Sequence, residues 1–345
     1  MRPVKPWPDD VVMLLRQQEG LVRRDQLTAA GVNERRISRA LAGGRLHRVA
    51  HGVYDTVATS PTGRDDPDRA RDDVHVHRRR RAAWLGLLAH GPDVVAVGQT
   101  ALVLHGIEGL PPHVAVEVAR RDRRERRARD GVVLRRYAGP RGFHLRHGRL
   151  VVPVETALAQ AVPALERRTA LAVLDSALRR RLVTRRGLDR AHDLARGRRG
   201  VARTHDWWDQ ADGRAESPAE SWARADCIDA GIPPDVLQLE LVDEVGKVVA
   251  RCDLAWYLGG GRWLLVEIDG AAVHSAGGAL YRDRARQNPL VAAGHVVLRF
   301  TGADAWSGAV SRDVRPVLRA RAWAPARPAP RGPVSLQGSA AGRAP

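Results

Sequence analysis

Three carboxylates in the C-terminal third of the chain have the types and spacing of an acidic metal site. Asp253 lies in the first of two runs rich in β-branched and aromatic residues, and Glu267 and Asp269 lie in the second. The glycines at 259–261 separate the runs, which predicts a β-hairpin. Symmetric pairing about Gly260 places Asp253 opposite Glu267, and Glu267 and Asp269 project from one face. We therefore expect the three carboxylates to converge.

The other face of the predicted hairpin is wholly apolar and should be buried. Its residues are Cys252, Leu254, Trp256, Leu264, Val266 and Ile268. Apolar residues near the turn also flank the acids, which places the acids in a partly covered cleft. Like charges gathered there are costly, and a divalent cation would remove that cost. Oxygen ligands favour Mg²⁺ or Mn²⁺; the alternative is a solvated strand edge with a register shifted by one or two residues.

The net charge indicates a polyanionic partner. The chain has 57 Lys and Arg against 39 Asp and Glu, a formal charge of +18. Only Lys5 and Lys247 are lysines, as expected from the coding bias of a GC-rich genome. Such bias explains Arg in place of Lys but not the excess over acids. Nucleic acid is therefore the favoured partner, and a membrane surface is the weaker alternative.

Other features of the sequence argue for a cytoplasmic protein without a membrane partner. Cys227 and Cys252 lack the spacing of a zinc site or a disulfide framework. The N-terminus has no apolar signal core, and no run approaches the length of a membrane-spanning helix.

Residues 9 to 57 predict a winged helix-turn-helix. Helices are expected at 11–19, 24–30 and 34–42, followed by two short strands of a β-wing. The third helix would enter the major groove, and the wing would meet the phosphate backbone. The candidate DNA contacts are Arg35, Arg36, Ser38 and Arg39 on that helix and Arg45, His47 and Arg48 in the wing. A basic solvated domain or a protein-binding winged helix remains the alternative.

The whole chain is predicted to be an α+β multidomain protein. A winged helix-turn-helix (1–57), a linker (58–71), a mixed α/β middle region (72–200), a C-terminal domain (214–321) and a disordered tail (324–345) are expected. In the C-terminal domain, Ser217 and Glu220 predict a helix with a capping box. Three strands, a helix, a strand and a final helix complete an αβββαβα order.

This order and its motifs resemble the restriction-endonuclease-like PD-(D/E)xK superfamily, and the nearest branch is the Vsr-like (very short patch repair) endonuclease domains. The residues that carry the resemblance are Asp253, E-I-D-G at 267–270, His274, R-D-R-A-R at 282–286 and the strand entry at 290–299. The resemblance implies metal roles for Asp253 and Glu267. Glu220 matches an additional helix-borne acid, although a capping-box Glu has a structural reason of its own.

The chain departs from that pattern at the lysine of the motif, where Asp269 stands. Asp269 could be a third metal ligand, or could orient water through His274. Arg282 and Arg286, one helical turn apart, could supply the lost positive charge near a phosphate. A salt-bridged surface helix is the alternative for these two arginines.

The N-terminal unit and the middle region resemble the AbiEi family of antitoxins and transcriptional regulators. The middle region contributes P-V-E-T-A-L-A-Q-A at 153–161 and L-D-S-A-L-R-R-R-L-V-T at 174–184. The resemblance implies promoter binding, autoregulation and a partner toxin in a type IV toxin-antitoxin system. Two hypotheses follow: a protein that binds double-stranded DNA and hydrolyses its phosphodiesters with Mg²⁺, or a non-catalytic regulator whose nuclease-like domain only makes contacts.

Overall fold

The protein is described by a computed structural model that covers residues 6–56, 74–120, 131–136, 142–146, 148–269, 288–325 and 332–336. Its contacts divide the chain into two compact units. The first unit contains Met1–Ala164 and Arg185–Thr204, and the second contains Leu165–Thr184 and His205–Pro345. The units are therefore not continuous in sequence, and Leu165–Thr184, expected in the middle region, packs with the C-terminal domain.

The N-terminal part of the first unit consists of three helices and a small sheet. Its elements are α1 (Asp9–Gln17), β1 (Leu21–Arg23), α2 (Arg24–Ala29), α3 (Glu34–Ala42), β2 (His47–Ala50) and β3 (Val53–Asp55). The sheet order is β1-β3-β2, with antiparallel pairing throughout. The three helices and the two wing strands are as predicted. Strand β1 was not predicted, because three residues are too few to display an alternation of polar and apolar side chains.

Helix α3 forms because a polar cap and an apolar face agree. The Asn33 carboxamide oxygen accepts a hydrogen bond from the Arg36 amide at 3.0 Å, which satisfies one of the unpaired donors of the first turn. Ile37 and Ala40 are buried in the core beneath the helix. The arginines of α3 are therefore directed away from that core.

The rest of the first unit surrounds a five-stranded mixed sheet. Its elements are α4 (Val74–His90), β4 (Val94–Ala96), α5 (Gly98–Leu104), β5 (Glu117–Arg120), β6 (Val133–Arg136), β7 (His144–Arg146), β8 (Arg149–Val151), α6 (Val154–Ala161) and α8 (Arg185–Ala195). The strand order is β6-β5-β4-β8-β7. The predicted linker at 58–71 lies outside the described residues.

The second unit is built on a sheet that contains the predicted hairpin. Its elements are α7 (Arg167–Arg179), α9 (His205–Gln210), α10 (Pro218–Asp229), β9 (Val236–Val242), β10 (Val248–Gly259), β11 (Arg262–Asp269), α11 (described at 288–292), β12 (Val296–Thr301), α12 (Gly302–Ser307), α13 (Ala309–Ala320) and β13 (Val334–Ser335). The order β12-β11-β10-β9-β13 has β10 antiparallel to both neighbours and β12 parallel to β11.

The register of the hairpin is the one expected from pairing about Gly260. Leu254 lies opposite Val266, so Asp253 and Glu267 are the next residues along the two strands. Gly260 has φ +61°, a backbone conformation that glycine adopts without the steric cost of a Cβ atom. The hairpin boundaries and register thus follow from the local sequence.

The expected placement of Cys252 on the same face as Leu254 is wrong. Leu254 packs in one buried cluster with Trp256 and Val266, whereas Cys252 packs in a different cluster with Ala255 and Trp263. Gln238, on the neighbouring strand, has φ +54°. Such a left-handed residue interrupts the regular pleat, which accounts for the loss of strict alternation where β9 and β10 pair.

The expectation that 324–345 is entirely disordered is also wrong. Val334 and Ser335 form β13, which pairs in parallel with β9. The Leu336 amide also donates to the Val242 carbonyl at 2.8 Å. The edge of β9 carries backbone groups that need hydrogen-bond partners, and a short strand can supply them despite a Pro-rich and Ala-rich neighbourhood.

Helix α10 is fixed by a buried ion pair. The Arg224 guanidinium on α10 lies 2.7 Å from the Asp175 carboxylate on α7, and both side chains are almost inaccessible to solvent. Asp175 also accepts from the Asp212 amide at 2.7 Å, and Arg224 donates to the Gln210 carbonyl at 2.8 Å. Burial raises the pKa of Asp175, an effect opposed by the charge of Arg224. These contacts hold α10, and with it Glu220, against α7.

Candidate functional site

The second unit contains a group of side chains that we call the acid centre. It consists of three acids and one glutamine: Glu220, Asp253, Glu267 and Gln238. Glu220 comes from α10, Gln238 from β9, Asp253 from β10 and Glu267 from β11. Glu220 and Glu267 are buried, and Asp253 is partly buried. The acid centre therefore depends on a helix and three strands meeting at one place.

Gln238 joins two of the acids directly. Its amide nitrogen donates to Glu220 Oε2 at 2.8 Å and to Asp253 Oδ1 at 3.1 Å. The other oxygen of Asp253 accepts from the Ile268 amide at 2.7 Å. The Gln238 carbonyl oxygen is buried and has no hydrogen-bond partner among the described residues.

The electrostatic environment disfavours a charge on Asp253. Its pKa is raised to about 6, first by burial and also by the negative charges of Glu220 and Glu267, against the opposing hydrogen bonds from Ile268 and Gln238. A carboxyl group that titrates near neutral pH in a group of acids can exchange a proton or accept a cation.

Glu267 has a cationic partner. Arg299 lies beside it in the parallel register of β11 and β12, and the Arg299 Nε atom is 2.9 Å from Glu267 Oε2. Both side chains are largely shielded from solvent, with 23% and 12% exposure. Arg299 thus offsets part of the negative charge of the acid centre.

Glu220 departs from the expected capping box. Ser217 caps α10 by accepting from the Glu220 amide at 3.2 Å, as predicted. The Glu220 carboxylate, however, accepts from the amide of Glu216 at 2.8 Å, and not from that of Ser217. The same carboxylate oxygen contacts Gln238, so Glu220 serves the helix start and the acid centre together.

The structure does not bring every candidate together. Asp269 is exposed at the end of β11 and does not enter the hydrogen bonds of the acid centre. In the described part of the chain, no group of three or more His, Cys, Asp or Glu side chains has an arrangement that could hold a metal ion. His274, Arg282 and Arg286 lie outside the described residues.

A small cleft of the second unit reaches the acid centre through Gln238. Its volume is about 430 Å³, and Arg179, Gly213, Arg214, Glu216 and Gln238 line it. A Cβ atom at Gly213 would lie 2.9 Å from Leu178 Cβ, so the backbone passes close to the end of α7 there. Two arginines beside a group of carboxylates could hold the oxygens of a phosphate group.

A second candidate region is the exposed side of α3, which we call the DNA-contact face: Arg35, Ser38 and Arg39. All three side chains are exposed, and Arg39 Nε donates to the Arg35 carbonyl at 3.3 Å. His47 and Arg48 are exposed on β2, where Arg48 contacts the His51 ring at 3.1 Å. These side chains can reach an external ligand.

Arg36 and Arg45 are placed differently, because both stack on Trp7. Their guanidinium carbons lie 5.1 Å and 4.9 Å from the Trp7 ring centroid, and Arg36 also donates to the Pro6 carbonyl at 2.6 Å. Cation–π contacts of this type orient the guanidinium group. Both arginines were predicted to contact DNA, but the role of Trp7 as their support was not predicted.

Sequence reasoning also missed Gln238 and Arg299. Both lie in strands whose apolar residues give the stronger pattern, and neither residue was expected to contact the acids. A polar residue in an otherwise apolar strand, such as Gln238 in V-L-Q-L-E-L-V, was the available signal. The pairing of Arg299 with Glu267 becomes evident only after β12 is placed beside β11.

Comparison with known proteins supports the N-terminal assignment. A family model described as transcriptional regulator, AbiEi antitoxin, matches residues 9–54. Two uncharacterized proteins of Mycobacterium tuberculosis, from strains CDC 1551 / Oshkosh and ATCC 25618 / H37Rv, are each 30% identical over 261 residues, which is 76% of this chain and 87% of theirs. No solved structure matches the chain.

Every helix within the described residues is too short or too polar to cross a membrane.

The matched segment coincides with the small helical domain that carries the DNA-contact face. The chain therefore belongs to the family of these two mycobacterial proteins, and its N-terminal domain is of the AbiEi antitoxin and transcriptional regulator type.

Proposed function

We propose that this protein is a transcriptional regulator of the antitoxin type that binds double-stranded DNA through its N-terminal domain. The observation that carries the proposal is the coincidence of the AbiEi match at 9–54 with a helix that exposes Arg35, Ser38 and Arg39. A net charge of +18 favours the same class of partner.

The element order of the N-terminal domain supports a winged-helix mode of binding. In that mode, α3 lies in the major groove and places Arg35, Ser38 and Arg39 near base edges and phosphates. The β2-β3 turn brings His47 and Arg48 against the backbone. Arg36 and Arg45, held on Trp7, orient the start of α3 and contribute positive charge without the freedom of fully exposed side chains. The antitoxin family also supports a toxin as the protein partner.

The test uses fluorescence anisotropy with duplex DNA from the region upstream of the protein's own gene. Arg35→Ala/Arg39→Ala should weaken binding at least tenfold, and the salt slope should fall by about 1.8 because two phosphate contacts are lost. Arg312→Ala/Arg319→Ala, on α13, removes the same charge and should retain affinity. Equal losses in the two variants, or unchanged affinity in the first, would contradict the proposed contacts.

We propose, as a second candidate function, metal-dependent hydrolysis of phosphodiester bonds at the acid centre. The observation that favours it is the meeting of Glu220, Asp253 and Glu267 although like charges oppose such a group. The order α10-β9-β10-β11-α11-β12, with β12 parallel to β11, agrees with a restriction-endonuclease-like core.

The acid centre fits a hard divalent cation in the type of its donors. Asp253 and Glu220 offer carboxylate oxygens, and Gln238 offers a buried carbonyl oxygen without a partner among the described residues. Mg²⁺ is commonly held by one or two carboxylates with water and substrate phosphates, so a third protein carboxylate is not required. Bound there, Mg²⁺ would neutralise the carboxylates and polarise the phosphoryl oxygen. Asp269 and His274 remain proposals for contacts with water, and Arg282 and Arg286 for contacts with phosphate.

Side chains of this protein would supply the other functions that hydrolysis requires. Asp253, with a pKa of about 6, is mostly ionised above that pH, so its carboxylate can serve as a cation ligand at neutral pH. Arg179 and Arg214 in the neighbouring cleft would hold the phosphate. Arg299, ion-paired with Glu267, places a positive charge beside the carboxylates of the acid centre.

A plasmid-nicking assay with Mg²⁺ or Mn²⁺ tests this second function. The wild type should nick the plasmid, and Asp253→Asn and Glu267→Gln should reduce the rate at least a hundredfold. Asp253→Asn keeps the shape of the side chain and removes its charge. DNA binding without nicking in the wild type would leave the regulator as the function and exclude hydrolysis of this substrate.

A further inference from the structure

A concave surface of the first unit gathers arginines around one shielded carboxylate. We call it the arginine cleft, and its volume is about 840 Å³. The side chains that carry its charge are Glu117, Arg135, Arg198, Arg199 and Arg203. Glu117 and Arg135 come from neighbouring strands of the sheet, whereas the other three follow α8.

Glu117 anchors the floor of the arginine cleft. Its Oε1 atom accepts from Arg135 Nε at 2.9 Å and from Arg135 Nη2 at 2.7 Å. Its Oε2 atom accepts from the Gln99 amide at 3.1 Å. The Glu117 side chain is 9% exposed, whereas that of Arg135 is 59% exposed. The guanidinium of Arg135 is thus fixed at one edge and accessible at the other.

Two glycines allow the backbone to approach the walls of the cleft. Gly98 has φ +52°, and a Cβ atom there would lie 2.0 Å from Glu117 Oε2. Gly200 has φ +88°, and a Cβ atom there would lie 2.5 Å from the Pro163 carbonyl oxygen. Any other residue at either position would collide with the wall and be strained. The cleft is therefore a built feature of the fold and not a chance gap between side chains.

The charge of the cleft is not balanced by the residues that line it. Four arginines line the cleft together with one glutamate, which is the single acidic residue among the described lining residues. Partial desolvation in the cleft, and then the positive charge of Arg135, lowers the pKa of Arg198, although its side chain stays exposed at the surface. Arginine nevertheless stays charged in proteins. Several negative charges on a ligand would relieve this repulsion.

We propose that the arginine cleft binds a small phosphorylated ligand of nucleotide size, with Arg135, Arg198, Arg199 and Arg203 contacting its phosphates. Guanidinium groups match phosphate oxygens in charge and in paired hydrogen-bond geometry. The volume lies within the range of about 300–1,000 Å³ that is typical of small-molecule sites. This site is separate from the DNA-contact face and does not depend on hydrolysis at the acid centre.

Isothermal titration calorimetry on the full chain, with ATP and inorganic pyrophosphate as probes, tests the proposal. Both probes should bind with saturation at one site. ATP should bind more tightly, because the cleft is larger than a pyrophosphate. Arg198→Ala/Arg199→Ala should weaken ATP binding at least tenfold, and Arg199→Glu should weaken it further by repelling the phosphates.

The matched control is Arg190→Ala/Arg196→Ala, which removes the same charge from α8 and its end. These arginines pair with Glu155 and Asp193 at the surface and do not line the cleft. ATP affinity should stay within twofold of the wild type. Circular dichroism should show all variants folded, since the altered side chains are exposed.

Three results would overturn the proposal. The first is no saturable binding of ATP to the wild type. The second is an equal loss of affinity in the cleft variant and the control, because it would indicate diffuse attraction by the net charge. The third is equal affinity for the two probes, which would exclude a site of nucleotide size. If Arg198→Ala/Arg199→Ala weakens duplex DNA binding while ATP does not bind, the cleft is a nucleic-acid surface instead.

Discussion

The DNA-contact face and the acid centre differ in how far apart their residues lie in the chain. Arg35, Ser38 and Arg39 occupy one short helix. Glu220, Asp253 and Glu267 come from a helix and two strands, and Gln238 joins two of them from a third strand. The first site requires one correctly formed helix, whereas the second requires a whole domain.

The two regions also treat charge in opposite ways. The arginines of the DNA-contact face are solvated, so water already stabilises their charges and binding can use them at little cost. The carboxylates of the acid centre are shielded from water, and this burial, with the added negative charges of Glu220 and Glu267, raises the pKa of Asp253 to about 6. Shielded carboxylates whose charge the fold does not neutralise therefore indicate a ligand more strongly than solvated arginines do.

The largest expected effect comes from breaking the support of the acid centre. Arg224→Ala should lower the free energy of unfolding of the second unit by about 3–5 kcal/mol, because Asp175 would remain buried without its partner. Tryptophan fluorescence in a urea titration measures this, since seven of the nine tryptophans lie in the second unit. DNA binding by the N-terminal domain should persist.

The double variant Asp175→Leu/Arg224→Met provides the comparison for that experiment. Replacing both charges leaves no uncompensated charge, so the loss should be smaller than in Arg224→Ala. If Arg224→Ala lowers the free energy of unfolding by less than about 1 kcal/mol, the ion pair does not hold α10. The acid centre would then depend less on the rest of its domain than we infer.

Asp253→Asn should stabilise the protein at neutral pH in a metal-free buffer. The folded-state pKa of Asp253 is about 6 against 3.8 for the free group. Below about pH 4 Asp253 is protonated in both the folded and the unfolded protein, so its carboxyl group does not destabilise the fold there. The destabilisation grows as the pH rises above 4 and reaches its full size above pH 6. Two pKa units correspond to about 3 kcal/mol, which sets the scale of the expected gain at pH 7.

The control for Asp253→Asn is Asp269→Asn. Asp269 is exposed, so its replacement should change the stability by less than about 0.5 kcal/mol at any pH. Urea titrations at pH 4 and pH 7 measure both variants. A pH-independent effect of Asp253→Asn would mean that the carboxylate is not destabilised by burial, and the main argument for a ligand at the acid centre would be lost.

The smallest expected effect concerns the cap of α3. Asn33→Ala should lower the stability of the N-terminal domain by about 1 kcal/mol, because the Arg36 amide loses its acceptor. Asn33→Gly should cost only a few tenths of that amount, since glycine at this position leaves the amide accessible to water. Hydrogen exchange of the α3 amides measures both. A loss of stability above about 3 kcal/mol in Asn33→Ala would contradict the view that α3 depends mainly on local interactions.

Local patterns predicted much of the fold. The third helix is predicted at 34–42 and is observed at Glu34–Ala42. The short strands β1, β4, β7 and β8 were missed. Three residues per strand carry too little periodicity, and partners distant in sequence supply their hydrogen bonds. The tail strand β13 was missed for the same reason.

The sequence by itself determined the exposed side of α3 and the register of the carboxylate hairpin, because a helix cap, an apolar period and a glycine turn are local. The tertiary structure alone decided that Gln238 joins Glu220 to Asp253, that Arg299 pairs with Glu267, and that Asp269 stays outside. It also gathered the arginine cleft from distant segments. Burial and electrostatic interaction depend on distances in space, and sequence spacing does not fix those distances across separate elements.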